Sequence, residues 1–136
     1  MSLKKALSYM RNETIEWIKK AEGDFASATR EFRARKNRNE DSACFHCQQC
    51  IEKYLKAILV EKNIQFTKTH DLGVLLDLLL KTSPDLEIFR DEMNILTDYS
   101  VVFRYPGESA TKEQARESYL KCVELRDVIR NKLKLV

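Results

Sequence analysis

The sequence predicts an all-α protein, an up-and-down antiparallel four-helix bundle with one additional short helix. Three observations carry that prediction. The chain holds only three glycines and two prolines in 136 residues, where average proteins hold roughly 12% of the two types together. Sandwiches and barrels need a turn every roughly 8–12 residues, and Gly23, Gly73, Pro84, Pro106 and Gly107 are too few to supply them. Apolar residues recur at alternating spacings of three and four over long stretches, which marks one face of a helix. The single β-branched and aromatic run, from Tyr99 to Tyr105, has no second strand to pair with and reads as a helix end.

The first helix runs from about Met10 to Arg35. Ile18, Ala21, Phe25, Ala28 and Phe32 form its face and Trp17 flanks it. Gly23 inside it costs about 1 kcal/mol relative to Ala, which suggests close packing at that point. Its tail is basic: Arg30, Arg33, Arg35, Lys36 and Arg38 stand against Glu31. The next helix opens with the acids Glu40 and Asp41. This switch of sign suits helix-end electrostatics; a basic patch that meets a partner is the other reading.

The second helix spans about Asp41 to Lys62. Ala43, Cys44, Cys47, Cys50, Ile51, Tyr54, Leu55, Ala57 and Ile58 fill one half of its wheel. His46, Gln49, Glu52, Lys53 and Lys56 fall on the other half or at its edge. Phe45, Leu59 and Val60 also lie outside the apolar half, which predicts a second burial surface and hence a dimer. After a polar loop from Asn63 to Thr69, a short third helix from His70 to Lys81 is apolar on nearly every side and should be buried. Ser83-Pro84 opens the fourth helix with a cap and a first-turn proline, and Leu86, Phe89, Met93 and Leu96 give its face. Pro106-Gly107 breaks the chain. Thr111 and Gln114 have capping-box spacing and start the last helix, which runs to about Leu133 on Ala115, Tyr119, Cys122, Leu125 and Ile129.

Composition bounds the function. One domain, 1–136, is expected at this length. The widely separated glycines exclude a glycine cradle for phosphates. A net charge of +3 is weakly basic and does not by itself imply nucleic acid. With no apolar run long enough to span a bilayer and no signal-type segment, a soluble cytoplasmic protein without membrane association is expected.

Four groups carry possible chemistry. Cys44, Cys47 and Cys50 have a metal-like spacing, but on a helix they diverge, and iron–sulfur and zinc sites use such spacings in loops and turns. They read as small buried apolar residues, with no metal and no cofactor. His46, Gln49, Lys53 and Lys56 make a polar stripe, either a solvated flank or a lining for an anion such as phosphate. Thr69-His70-Asp71-Leu72 opens the third helix: Thr69 or Asp71 would cap it, and His70 would close a contact to a neighbouring helix. Arg104, between Phe103 and Tyr105 and before the break, would bind phosphate through its planar fork or satisfy helix-end carbonyls.

Four stretches, in order, resemble the HEPN domain (higher eukaryotes and prokaryotes nucleotide-binding). They are Trp17, Ala21, Asp24 and Ala28; the second-helix segment from Phe45 to Ala57; Thr69 to Leu72; and Arg104-Tyr105-Pro106. Cys47 and Cys50 stand where that pattern usually has Ala. The resemblance implies an up-and-down bundle, commonly a homodimer, and work on nucleotides or RNA, often beside a minimal nucleotidyltransferase. Many members are ribonuclease toxins whose signature is an Arg followed a few residues later by a His at the start of the last helix. Arg104 fits the Arg. Ser109, Ala110 and Thr111 occupy the positions open to the His, and no His follows His70. No catalytic residue is therefore assigned. The reading favoured is a non-catalytic binding module using Arg104, Tyr105, His70, His46, Gln49, Lys53 and Lys56. The alternatives are a ribonuclease with His46 or His70 in the missing role, and a structural homodimer.

Overall fold

A short helix α1 (Leu3–Ser8) precedes the long α2 (Asn12–Arg33) and α3 (Glu40–Glu61). The short α4 (Leu72–Leu79) is followed by a 3-10 segment (Pro84–Phe89) that runs straight into α5 (Arg90–Val102), and α6 (Lys112–Lys132) closes the chain. The computed structural model describes residues 3–135; the expected domain of 1–136 reaches beyond them at residues 1, 2 and 136. Among the described residues there is no strand, and no helix is long and apolar enough to cross a membrane.

Contacts at the helix ends fix the directions. At the start of α2, Thr14 Oγ1 donates to Glu61 Oε1 at the end of α3, at 2.9 Å, so these helices are antiparallel. Tyr99, near the end of α5, donates through its hydroxyl to Glu117, near the start of α6, at 2.6 Å. The two helices that run the same way, α3 and α6, also touch: Ser118 Oγ donates to Cys44 Sγ at 3.5 Å, and Arg130 Nη1 to Tyr54 OH at 3.0 Å. The bundle is therefore centred on α3, which packs against α2, α4, α5 and α6.

That central position explains how the wheel prediction for α3 departs from the structure. Leu59 falls outside the apolar half of the wheel, on the predicted second burial surface, and it is α4 packing on α3 within the chain that buries it, in one core cluster with Leu72, Leu75, Leu76 and Leu79. Phe45 and Val60 remain half-buried. Glu52 and Lys56, placed by the wheel on the polar side or its edge, are also buried. All four cysteines are buried free thiols. Burial pushes the Cys44 and Cys50 thiols up, and Cys47 is pushed up by its hydrogen bond with Cys122 and by burial. Among the described residues no group of His, Cys, Asp and Glu is placed to hold a metal.

Helix ends follow local chemistry. Asp71 caps α4 by accepting from Gly73 N at 2.8 Å and Val74 N at 3.4 Å, so His70 lies before the helix and not in it. Thr111 and Gln114 form the expected capping box. Ser83 makes no cap. Its hydroxyl accepts from Lys62 Nζ at 3.0 Å, and the turn after it is the 3-10 segment. Gly23 is exposed with open space where a Cβ would sit, so no close packing explains it.

Candidate functional site

The polar stripe of α3 divides between two carboxylates. Asp24 lies on α2 between Ala21 and Ala28 and is nearly buried. One of its oxygens, Oδ1, is 2.8 Å from His46 Nδ1, and Oδ2 takes the ammonium of Lys53. A carboxylate only accepts, so His46 donates through Nδ1 and keeps Nε2 free. His46 and Lys53 are seven residues apart, two helical turns, which lets one carboxylate on the facing helix serve both.

The second carboxylate, Glu52, is 2% exposed. It accepts from Lys56 Nζ at 3.0 Å, His70 Nδ1 at 2.9 Å, Gln48 Nε2 at 3.1 Å and Gln49 Nε2 at 3.2 Å. Gln48 Nε2 also donates to the His70 carbonyl at 2.7 Å, which ties the segment before α4 to α3. Burial alone would raise the Glu52 carboxyl, but hydrogen bonds from Lys56, Gln48 and His70 outweigh it and hold the group below its ordinary 4.5. The Lys56 ammonium lies 5.4 Å from the Trp17 ring centroid and 5.9 Å from that of Phe66, so two aromatic faces replace part of its lost water.

Arg104 is placed differently. Backbone bonds from Arg104 N to Val101 O and Tyr105 N to Val102 O, both 3.3 Å, close α5. Tyr105, Pro106, Gly107 and Glu108 then form a turn in which Glu108 N donates to Tyr105 O at 3.2 Å. Gly107 has φ of +88°; Pro before a left-handed Gly is the type II arrangement, and only Gly takes that φ cheaply. The loop is anchored to α3 by Ala110 N donating to Asp41 Oδ1 at 2.6 Å. The Arg104 guanidinium lies over the Phe45 ring, 5.4 Å from its centroid. Among the described residues neither a carboxylate nor a helix-end carbonyl receives it, and both Arg104 and Tyr105 are exposed. The other edge of the site is His46, whose ring meets Phe45 edge-on at 5.3 Å.

The structure thus gathers Arg104 and His46 around Phe45 at one end of α3, with Tyr105 beside Arg104. It joins Lys53 to that group through Asp24. Gln49, Lys56 and His70 belong to the Glu52 cluster. Lys53, Lys56, His46 and His70 are all engaged by protein carboxylates, which leaves Arg104 as the cation of the predicted set without one. Sequence reasoning assigned Asp24, Glu52 and Phe45 no part in the site. Asp24 had a legible signal: an acid at the centre of an apolar stripe, three residues after Ala21 and four before Ala28.

This geometry accompanies a family match. The sequence profile of the HEPN domain matches residues 14–132, and the chain belongs to the HEPN domain family. The fold is similar to the crystal structure of an archaeal HEPN homologue, with a TM-score of 0.69 and 23% identity over 88% of this chain and 97% of that one. No curated protein gives a match.

Proposed function

We propose that this chain is a non-catalytic HEPN-type module that binds a nucleotide or a protein partner. It acts as a cytoplasmic homodimer with a minimal nucleotidyltransferase in a toxin–antitoxin-like pair. One observation carries the binding part. Arg104 is exposed, held over Phe45 and free of any carboxylate among the described residues, next to the exposed ring of Tyr105. A guanidinium in that state is prepared for a phosphate, to which it offers two parallel N–H donors. Tyr105 offers a face for a base. Family membership supports the nucleotidyltransferase partner. Val101 and Val102, exposed side by side at the end of α5, support the homodimer.

Calorimetric titration of ATP, GTP and a short RNA into the protein tests the binding part. Binding that Arg104→Ala removes is the expected result. No heat from any of the three ligands would sink nucleotide binding and leave the protein-partner role. Co-purification with a coexpressed nucleotidyltransferase tests that role.

A specific observation also favours ribonuclease activity as the second reading. His46 is oriented by Asp24 and shares the Phe45 ring with Arg104. In that reading Nε2 of His46 takes the proton of the ribose 2′-hydroxyl, whose oxygen bonds to the adjacent phosphorus held by Arg104; the P–O5′ bond breaks to leave a 2′,3′-cyclic phosphate, and the departing 5′-oxygen takes its proton from water or from the protonated His46. Asp24 acts as a positioning residue. Intact RNA after long incubation with wild-type protein would end this reading; cleavage lost in both His46→Ala and Arg104→Ala would establish it.

A further inference from the structure

All four cysteines lie on two helices that pack against each other, Cys44, Cys47 and Cys50 on α3 and Cys122 on α6. All are free and fully buried. The two helices run the same way, so facing residues keep a nearly constant offset in number. Ser118 faces Cys44 at an offset of 74, and Arg130 faces Tyr54 at an offset of 76. The offset of Cys122 from Cys47 falls between these two, and the Cys47 thiol donates to Cys122 across the helix pair. Cys50, one turn further along α3, also donates to Cys122. Three thiols therefore converge between α3 and α6, while Cys44 belongs to the contact with Ser118.

Packing accounts for a small apolar residue at each of these places, and Ala would fill them nearly as well. What Cys adds is a reactive sulfur. The three thiols are not equivalent. Hydrogen bonds from Cys47 and Cys50, with the Arg126 guanidinium one turn on, outweigh burial and hold Cys122 below its ordinary 9.0. Cys47 and Cys50 are pushed up and keep their protons. A thiolate held against a thiol is the arrangement that thiol oxidation uses, one sulfur attacking and the other resolving. Full burial sets the size of the oxidant. Glutathione disulfide is shut out, whereas hydrogen peroxide, little larger than water, enters through local opening.

We propose that Cys47 and Cys122 are an oxidation site, a dithiol that hydrogen peroxide converts to a disulfide tying α3 to α6. The Cys122 thiolate attacks one peroxide oxygen and the O–O bond breaks. The released hydroxide takes up the proton that Cys122 had lost, which leaves a sulfenic acid and one water. The Cys47 sulfur then attacks the Cys122 sulfur. The S–S bond forms as the S–OH bond breaks, and the Cys47 proton leaves with the hydroxide as a second water. Each sulfur gives up one electron and the peroxide takes both. A disulfide needs its Cα atoms within about 7 Å, which residues facing each other across a packed helix pair reach. The bond would lock the helix that carries Phe45 and His46 to the helix that follows the Arg104 turn.

The test treats the folded protein with hydrogen peroxide in the absence of denaturant. The protein is then unfolded, its remaining thiols are alkylated, and the products are mapped by mass spectrometry. The expected product is a single chain two hydrogens lighter, with Cys44 and Cys50 alkylated and Cys47 and Cys122 not. Dithiothreitol should restore all four thiols. Cys50→Ala should form the same bond and Cys122→Ala none, and circular dichroism checks that both fold. Four thiols still open to alkylation after the treatment would overturn the proposal. So would sulfinic acid at Cys122 in place of a disulfide, or a bond from Cys122 to Cys50. Each of these is read on the wild-type chain, so a variant that fails to fold leaves the test intact.

Discussion

The Glu52 cluster and the Arg104 turn each hold a cation against an aromatic ring, and the two cations end in opposite states. Glu52, Lys56, Gln48, Gln49 and His70 satisfy one another; Glu52, Lys56 and Gln48 are buried, with the Lys56 ammonium against Trp17 and Phe66, and His70 closes the cluster from the exposed side. Arg104 stands on Phe45 in solvent with no carboxylate among the described residues. Charged groups that are buried and mutually bonded hold helices together; a charged group that is displayed and unbonded is left for something outside the molecule. The comparison moves the weight of the candidate site from the α3 stripe to the turn after α5.

The largest effect separating the two regions is expected at Glu52. Glu52→Ala leaves Lys56 as a buried ammonium without its carboxylate, and breaking a buried pair from one side costs about 3 kcal/mol or more. A urea melt should show the loss; a midpoint unchanged from wild type would contradict the structural role assigned to the cluster. Acid should weaken the bundle at two separate places. Burial would raise Glu22, but hydrogen bonds from Arg126 and Tyr54 hold it below 4.5, and Glu52 is held below the same value. A carboxylate whose folded pKa is lowered contributes stability above its unfolded value and loses it as pH falls through the folded one. The melting temperature should therefore hold steady down to about pH 5 and drop below 4.5, less steeply in Glu52→Gln.

Asp24→Asn is intermediate. It removes the charge shared by His46 and Lys53 in a partly solvated place, for about 1.5 to 3 kcal/mol. It also frees the His46 ring, which proton NMR of the imidazole would register. The smallest stability effect is expected at Arg104. Arg104→Ala touches an exposed side chain and should shift stability by no more than about 0.5 kcal/mol, while abolishing nucleotide binding in calorimetry. A large stability loss there would turn Arg104 into another structural residue and erase the contrast.

The helices were legible because each element had its own local signal. Thr111 and Gln114 marked the start of α6, and the 3,4 spacing of Ile18, Ala21 and Ala28 marked the buried face of α2. The run from Tyr99 to Tyr105 proved to be a helix end, as the absence of a partner strand implied. The split between α1 and α2 and the 3-10 segment after Ser83 were not legible, since they depend on how the ends are held. Within the site, the stripe His46, Gln49, Lys53 and Lys56 was visible as a pattern. Its division between Asp24 and Glu52 was not, because Asp24 lies 22 residues from His46 and on another helix.

By itself, then, the sequence determined the number of long helices, their apolar faces, the break at Pro106-Gly107 and the family. Each of these follows from spacing and from residue types with strong backbone preferences, which act over a few neighbours. Only the tertiary structure decided that α3 is the centre of the bundle, that Leu59, Glu52 and Lys56 are buried, and that Arg104 stands alone beside Phe45. Those outcomes turn on which helix packs on which face of α3 and on which side chains of other elements come within about 3 Å of its polar groups, contacts that a reading along one helix does not contain.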